Sequence, residues 1–158
     1  MAESLSEVKV VIDTRSVRCS ATGTVTGAVF VNLGEKSFPE EDWSDLVLAV
    51  VRGWIEAVLR LLENQSDTSE LMFLDGPFWL QVTRGRSETW VIECLTNRVK
   101  PRTECLQETS WRPFVASLVA AAEGLLDVCS RNGWSSPDLD ALFRLTPLLK
   151  TLVNQGKH

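Results

Sequence analysis

The sequence predicts an α+β protein, with an antiparallel sheet of about five strands packed against helices in the order ββ-α-βββ-αα. Three observations predict it. β-Branched and aromatic residues gather in short runs within Val8–Leu33 and Glu70–Leu95, broken by turn residues. The stretch between these runs, and most of the chain after Thr109, instead repeats its apolar residues every three or four positions. The strand-like runs are joined by turns too short for a crossover, which favours hairpins over a doubly wound sheet.

Val8–Ser20 is rich in Val, Ile and Thr, Ala21-Thr22-Gly23 has turn composition, and Thr24–Leu33 runs back as a second strand. Gly27 inside that second strand signals a bulge or a close approach by another backbone. Ser37-Phe38-Pro39-Glu40 resembles a capping box, and the acids after it suit the first turn of a helix, where they complement the dipole. Trp43, Leu46, Val47, Val50, Trp54, Val58, Leu61 and Leu62 form one apolar stripe, so Trp43 and Trp54 are expected in the core. The helix should end near Glu63, before the polar loop Asn64–Ser69.

Leu71–Leu74, Phe78–Thr83 and Thr89–Leu95 read as three strands joined by turns at Asp75-Gly76-Pro77 and Arg84-Gly85-Arg86-Ser87. Thr103–Leu106 has the composition of a further short strand. Ser110 or Thr109 should cap a helix running to about Cys129, with Pro113 tolerated in its first turn and Arg131-Asn132-Gly133 as its stop. Ser136 caps and Pro137 opens a last helix, which Pro147 should kink or split. One domain is expected over 1–158, with hairpin, first helix and strands in 8–96 and the C-terminal helices in 109–153.

At 158 residues and 44% hydrophobic content, the chain can bury a core without metal or disulfide staples. Its net charge of −5 argues against nucleic acid as the ligand. The acidity is regional: residues 35–75 hold ten acids against three bases. The plain explanation is a solvated helix face, and the sharper one a docking surface for a basic partner. Arg84, Arg86, Arg98, Lys100 and Arg102 make the one basic patch, read as a solvated rim, with anion binding as the alternative. The apolar runs Leu46–Val51 and Phe114–Ala122 are too short to span a bilayer, and the start MAESLSEVKV lacks an apolar signal region. A cytoplasmic protein without membrane contact is expected, and on that ground the sequon Asn64-Gln65-Ser66 is chance.

Chemistry is limited by what the chain lacks. Its single histidine is His158, the last residue, which leaves no Ser-His-Asp or Cys-His system and no histidine-ligated metal. Cys19, Cys94, Cys105 and Cys129 include no Cys-x-x-Cys pair and are read as reduced packing residues. No phosphate-binding glycine loop is present. Glu40, Glu41, Asp42 and Asp75 would suit carboxylate or magnesium chemistry, but helix capping explains the first three more simply. The expectation is a non-enzyme with no cofactor and no metal.

The N-terminal hairpin, then Phe38-Pro39 with Trp43 and Asp45 opening a Trp-bearing helix, then Phe73-Leu74-Asp75-Gly76-Pro77-Phe78, resemble the small bacterial immunity proteins of polymorphic or contact-dependent toxin systems. The resemblance spans roughly residues 8–96. It implies a non-catalytic protein that binds and neutralises one cognate toxin domain. For a nuclease-like toxin with a basic cleft, it points to Glu35, Glu40, Glu41, Asp42, Asp45 and Asp75 as contact residues. The competing expectation is a secretion chaperone, usually a homodimer, holding an effector segment in apolar grooves. A degenerate enzyme with a pocket near Asp75-Gly76-Pro77 is a third.

Overall fold

The computed structural model describes residues 7–155; His158 lies outside them. Val8–Cys19 (β1) and Val25–Leu33 (β2) form the expected antiparallel hairpin. Its register slips between Asp13 and Arg18, where the bulged stretch of β1 faces Gly27 alone. Ser16 repairs the ladder there, because its Oγ accepts from the Ala28 N–H at 2.8 Å and donates to the Asp13 carbonyl at 2.6 Å. A Cβ on Gly27 would lie 3.3 Å from Val17 Cα, so the predicted close approach is real.

The far edge of β2 carries Lys36–Phe38 (β3) and then Ser44–Asp45 (β4), two pieces of one edge strand interrupted by residues 39–43. The helix expected from Ser37 onward therefore starts later, at Val47, and runs to Leu62 (α1), with no acid in its first turn and no side-chain cap. The capping-box residues are used otherwise. Ser37 Oγ donates across the ladder to Asn32 Oδ1 at 2.8 Å. Phe38 is buried edge-on to Phe73 and Phe78, at centroid distances of 6.0 and 5.7 Å. Burying a phenylalanine is worth roughly 1.5–3 kcal/mol and an N-cap about 1, so the strand outcompetes the cap.

Thr68–Met72 (β5), Phe78–Arg84 (β6), Thr89–Thr96 (β7) and Arg102–Ser110 (β8) form a second antiparallel sheet in sequential order. There are thus two four-stranded sheets rather than one of about five strands, and the order is ββββ-α-ββββ-αα. One face of the second sheet buries Leu71, Leu80, Val82, Ile92 and Cys94, while the other carries Glu70, Gln81, Glu93 and the exposed Leu106. α1 packs on both β2 and β5, and against the two later helices. It is consequently apolar well beyond one stripe, with Val47, Val51, Ile55 and Ala57 buried alongside Val50, Trp54 and Val58.

Trp111–Arg131 (α2) packs on β1, and Pro137–Asn154 (α3) on α1 and α2. α2 is long and apolar enough, by length and composition, to cross a membrane, contrary to what its unbroken apolar runs suggested. In the fold it is a core helix, burying Phe114, Val115, Leu118, Ala122 and Leu125. Ser136 caps α3 as expected, accepting from the Leu139 N–H at 3.1 Å. Pro147 does not split the helix, which continues to Asn154. The carbonyl left without its donor belongs to Phe143, on the exposed side of α3, where water can replace the lost bond.

Candidate docking surface

Residues 39–43 leave the β2 edge because Pro39 has no N–H for the ladder and Asp42 takes a left-handed φ of 62°. The chain rejoins the edge where Val29 N–H donates to the Trp43 carbonyl at 2.8 Å. Glu40, Glu41 and Asp42 are thereby pushed into solvent, while the Trp43 ring turns back onto Phe78, edge-on at 5.1 Å. Gly76, at φ 125°, lets the β5–β6 turn pass close beneath: a Cβ there would meet the Phe78 ring at 3.1 Å and Trp43 at 3.3 Å.

Asp45 locks the two loops together. Its side chain is buried, and the residue is 2% exposed. Oδ1 accepts from Leu46 N–H (2.7 Å) and Asp75 N–H (3.1 Å), and Oδ2 accepts from Trp43 Nε1–H (3.1 Å) and Leu74 N–H (3.0 Å). Four donors converge on one carboxylate just before α1, where the helix dipole also favours negative charge. The consequence is positional. Leu46 and Leu74 are held side by side at the surface, 39% and 49% exposed, with Asp75 beside them and the Glu40–Asp42 loop carried by Trp43 next to the same turn.

No family model, curated protein or solved structure matches the chain.

Of the six predicted contact residues, the structure brings Glu40, Glu41, Asp42 and Asp75 to one end of the molecule. Glu35 stands at the other end of β3, in the β2–β3 turn. Asp45 lies under the surface, unavailable for contact; its place is structural, since all four of its donors are internal. Among the described residues no ion pair engages Glu40, Glu41, Asp42 or Asp75.

The predicted basic patch divides. Arg84 and Arg86 flank the β6–β7 turn, where Arg84 Nη1 donates to Asn64 Oδ1. Arg98, Lys100 and Arg102 lie at the opposite end of the sheet, in and after the β7–β8 turn. That second turn neighbours the acidic end, because Asn97 N–H donates to the Pro77 carbonyl at 3.1 Å. Arg98 is drawn over the Trp79 ring at 5.3 Å, and it covers apolar surface as much as it presents charge.

The hollow among Thr26, Asp45, Leu46, Leu74 and Asp75 is about 240 Å³, smaller than usual for a small-molecule site. The larger hollow, about 360 Å³ between β1 and the end of α2, gathers Arg15, Arg18 and Arg131 with Trp134. Its arginines are already engaged: Arg15 with Asp13, Arg131 with Asp127, and Arg18 on the carbonyls of Arg15 and Val17. The two exposed leucines were missed in the sequence because Leu46 fits the helical stripe and Leu74 the strand pattern.

Proposed function

We propose that the chain is a non-catalytic binding protein of the immunity type, acting in the cytoplasm, which neutralises a cognate toxin domain through the surface around Leu46 and Leu74. One observation carries the reading: two exposed leucines are positioned by backbone hydrogen bonds to Asp45, with Asp75 beside them and the exposed Glu40–Asp42 loop at the adjoining turn, and among the described residues none of these four acids is in an ion pair. An apolar anchor with a charged rim is the anatomy of a specific protein interface. The acids select a basic partner and steer its approach, and the leucines supply area that leaves water on docking. A surface fixed before binding loses little conformational entropy when the partner arrives.

The experiment is binding of the toxin domain encoded beside this protein to wild type and to the Leu46→Ala/Leu74→Ala double variant. Binding is expected to weaken by about tenfold or more. The melting temperature should change little, because both side chains are partly solvated already. Equal affinity for the two proteins would remove this surface from the interface.

A chaperone acting as a homodimer is the second reading, supported by Phe143 and Leu148, which are half exposed on the outer side of α3 beside Pro147. It requires a dimer at micromolar concentration that Phe143→Asp dissociates. A monomer would leave only the first reading.

A further inference from the structure

We propose that Cys94 and Cys105 form a reversible disulfide site. The two residues are direct partners in the β7–β8 ladder, with Cys94 buried and Cys105 half-buried. Paired residues of an antiparallel ladder have Cα atoms about 4.5–5.5 Å apart, within the 4.4–6.8 Å range of disulfides. Their Cβ atoms, about 4.5–5.5 Å apart in such a pair, need to close by roughly 1 Å. The ladder supplies that slack. Its register slips next to the pair, with Glu104 as the extra residue of a β-bulge.

The surroundings set the order of events. Burial, and then the neighbouring Cys105 side chain, push the Cys94 thiol well above its usual range. Cys105 is the more accessible sulfur and reacts first. Lys36 donates its Nζ–H to the Glu104 carbonyl at 3.2 Å, and its charge partly opposes the rise at Cys94. With hydrogen peroxide as oxidant, the Cys105 sulfur attacks the O–O bond, becoming a sulfenic acid and releasing water. The Cys94 sulfur then attacks the Cys105 sulfur, forming the S–S bond and releasing a second water. One peroxide is consumed and the two thiol protons leave in the waters. An external dithiol reverses the bond by two-electron exchange. Packing alone does not require both members of a registered cross-strand pair to be cysteine. The bond would clamp the hairpin whose turn carries Arg98 and Lys100, independently of whether that end docks a toxin.

The test uses the full chain, reduced, freed of reductant, exposed to hydrogen peroxide, and then alkylated after denaturation. Two of the four thiols should be lost, the intact mass read before alkylation should fall by about 2 Da, and non-reducing digestion should release one peptide pair joined through Cys94 and Cys105. Dithiothreitol should restore all four thiols. A Cys19→Ser/Cys129→Ser variant should behave the same way, and Cys105→Ser should lose the linkage. Cys105 recovered as a sulfinic acid or an intermolecular disulfide, with Cys94 still alkylatable in the wild type, overturns the proposal. That readout does not depend on any variant folding.

Discussion

Trp54→Ala is expected to lower the free energy of unfolding by about 3–5 kcal/mol, a large share of the roughly 5–15 kcal/mol of an ordinary domain. Trp54 is fully buried at the meeting point of α1 and β5. Its ring stands edge-on to Phe73 at 5.1 Å, and its Nε1–H donates to the Met72 carbonyl at 2.7 Å. That carbonyl is on the free edge of β5, so the indole both fills the core and closes the sheet edge beneath α1. Alanine would leave a cavity and an unpaired carbonyl together. Trp54→Phe separates the two effects: it keeps most of the volume and should cost less, about 1–3 kcal/mol for the stranded acceptor. Urea unfolding of the three proteins measures both. A Trp54→Ala midpoint equal to wild type would mean that α1 does not pack on β5 as described.

Asp45→Asn should be the second severe change, at about 3 kcal/mol or more. Asparagine has the same shape but presents an amide N–H₂ where one carboxylate oxygen had accepted two hydrogen bonds. Whichever way the amide turns, two donors lose their acceptor, either Leu46 and Asp75 or Trp43 and Leu74. Each lost or frustrated bond to this buried charge is worth about 1–3 kcal/mol. Besides the fall in stability, amide exchange should accelerate at Leu74 or at Asp75, whichever N–H loses its acceptor. A loss below about 0.5 kcal/mol with unchanged exchange would show that the carboxylate does not hold the two loops together. Charge reversal at this position is for the same reason no probe of binding.

The elements with clear periodicity were legible: the first hairpin, the strands around Asp75-Gly76-Pro77, the Ser136 cap and the two C-terminal helices. β3 and β4 were not, because strands of three and two residues carry no measurable alternation. Ser37-Phe38-Pro39-Glu40 satisfied a capping pattern whose residues also suit an edge strand, and the burial of Phe38 decides between them only in three dimensions. Asp45 looked like one acid among several, since its decisive donors, Leu74 and Asp75, lie some thirty residues further on. The split of the basic residues was deducible. Successive hairpin turns alternate between the ends of a sheet, so Arg84–Arg86 and Arg98–Arg102 had to face opposite ways. The Cys94–Cys105 pairing depended on β8 running from Arg102 to Ser110, twice the length of strand its composition suggested.

The sequence predicts a helix terminus for Glu40, Glu41 and Asp42, where they would complement the dipole. Placed instead in a solvent-exposed loop and turn, they have no dipole to complement and no ion-pair partner among the described residues. The direct test is the association rate with the neighbouring toxin domain at about 50 and about 500 mM salt, comparing wild type with Glu41→Lys/Asp75→Lys. If this surface steers a basic partner, wild-type association falls steeply as salt rises, by about tenfold or more, while the reversed protein associates slowly at both salts and keeps its wild-type melting temperature. Equal association rates for the two proteins at both ionic strengths would contradict the account and move the contact to the open face of the second sheet.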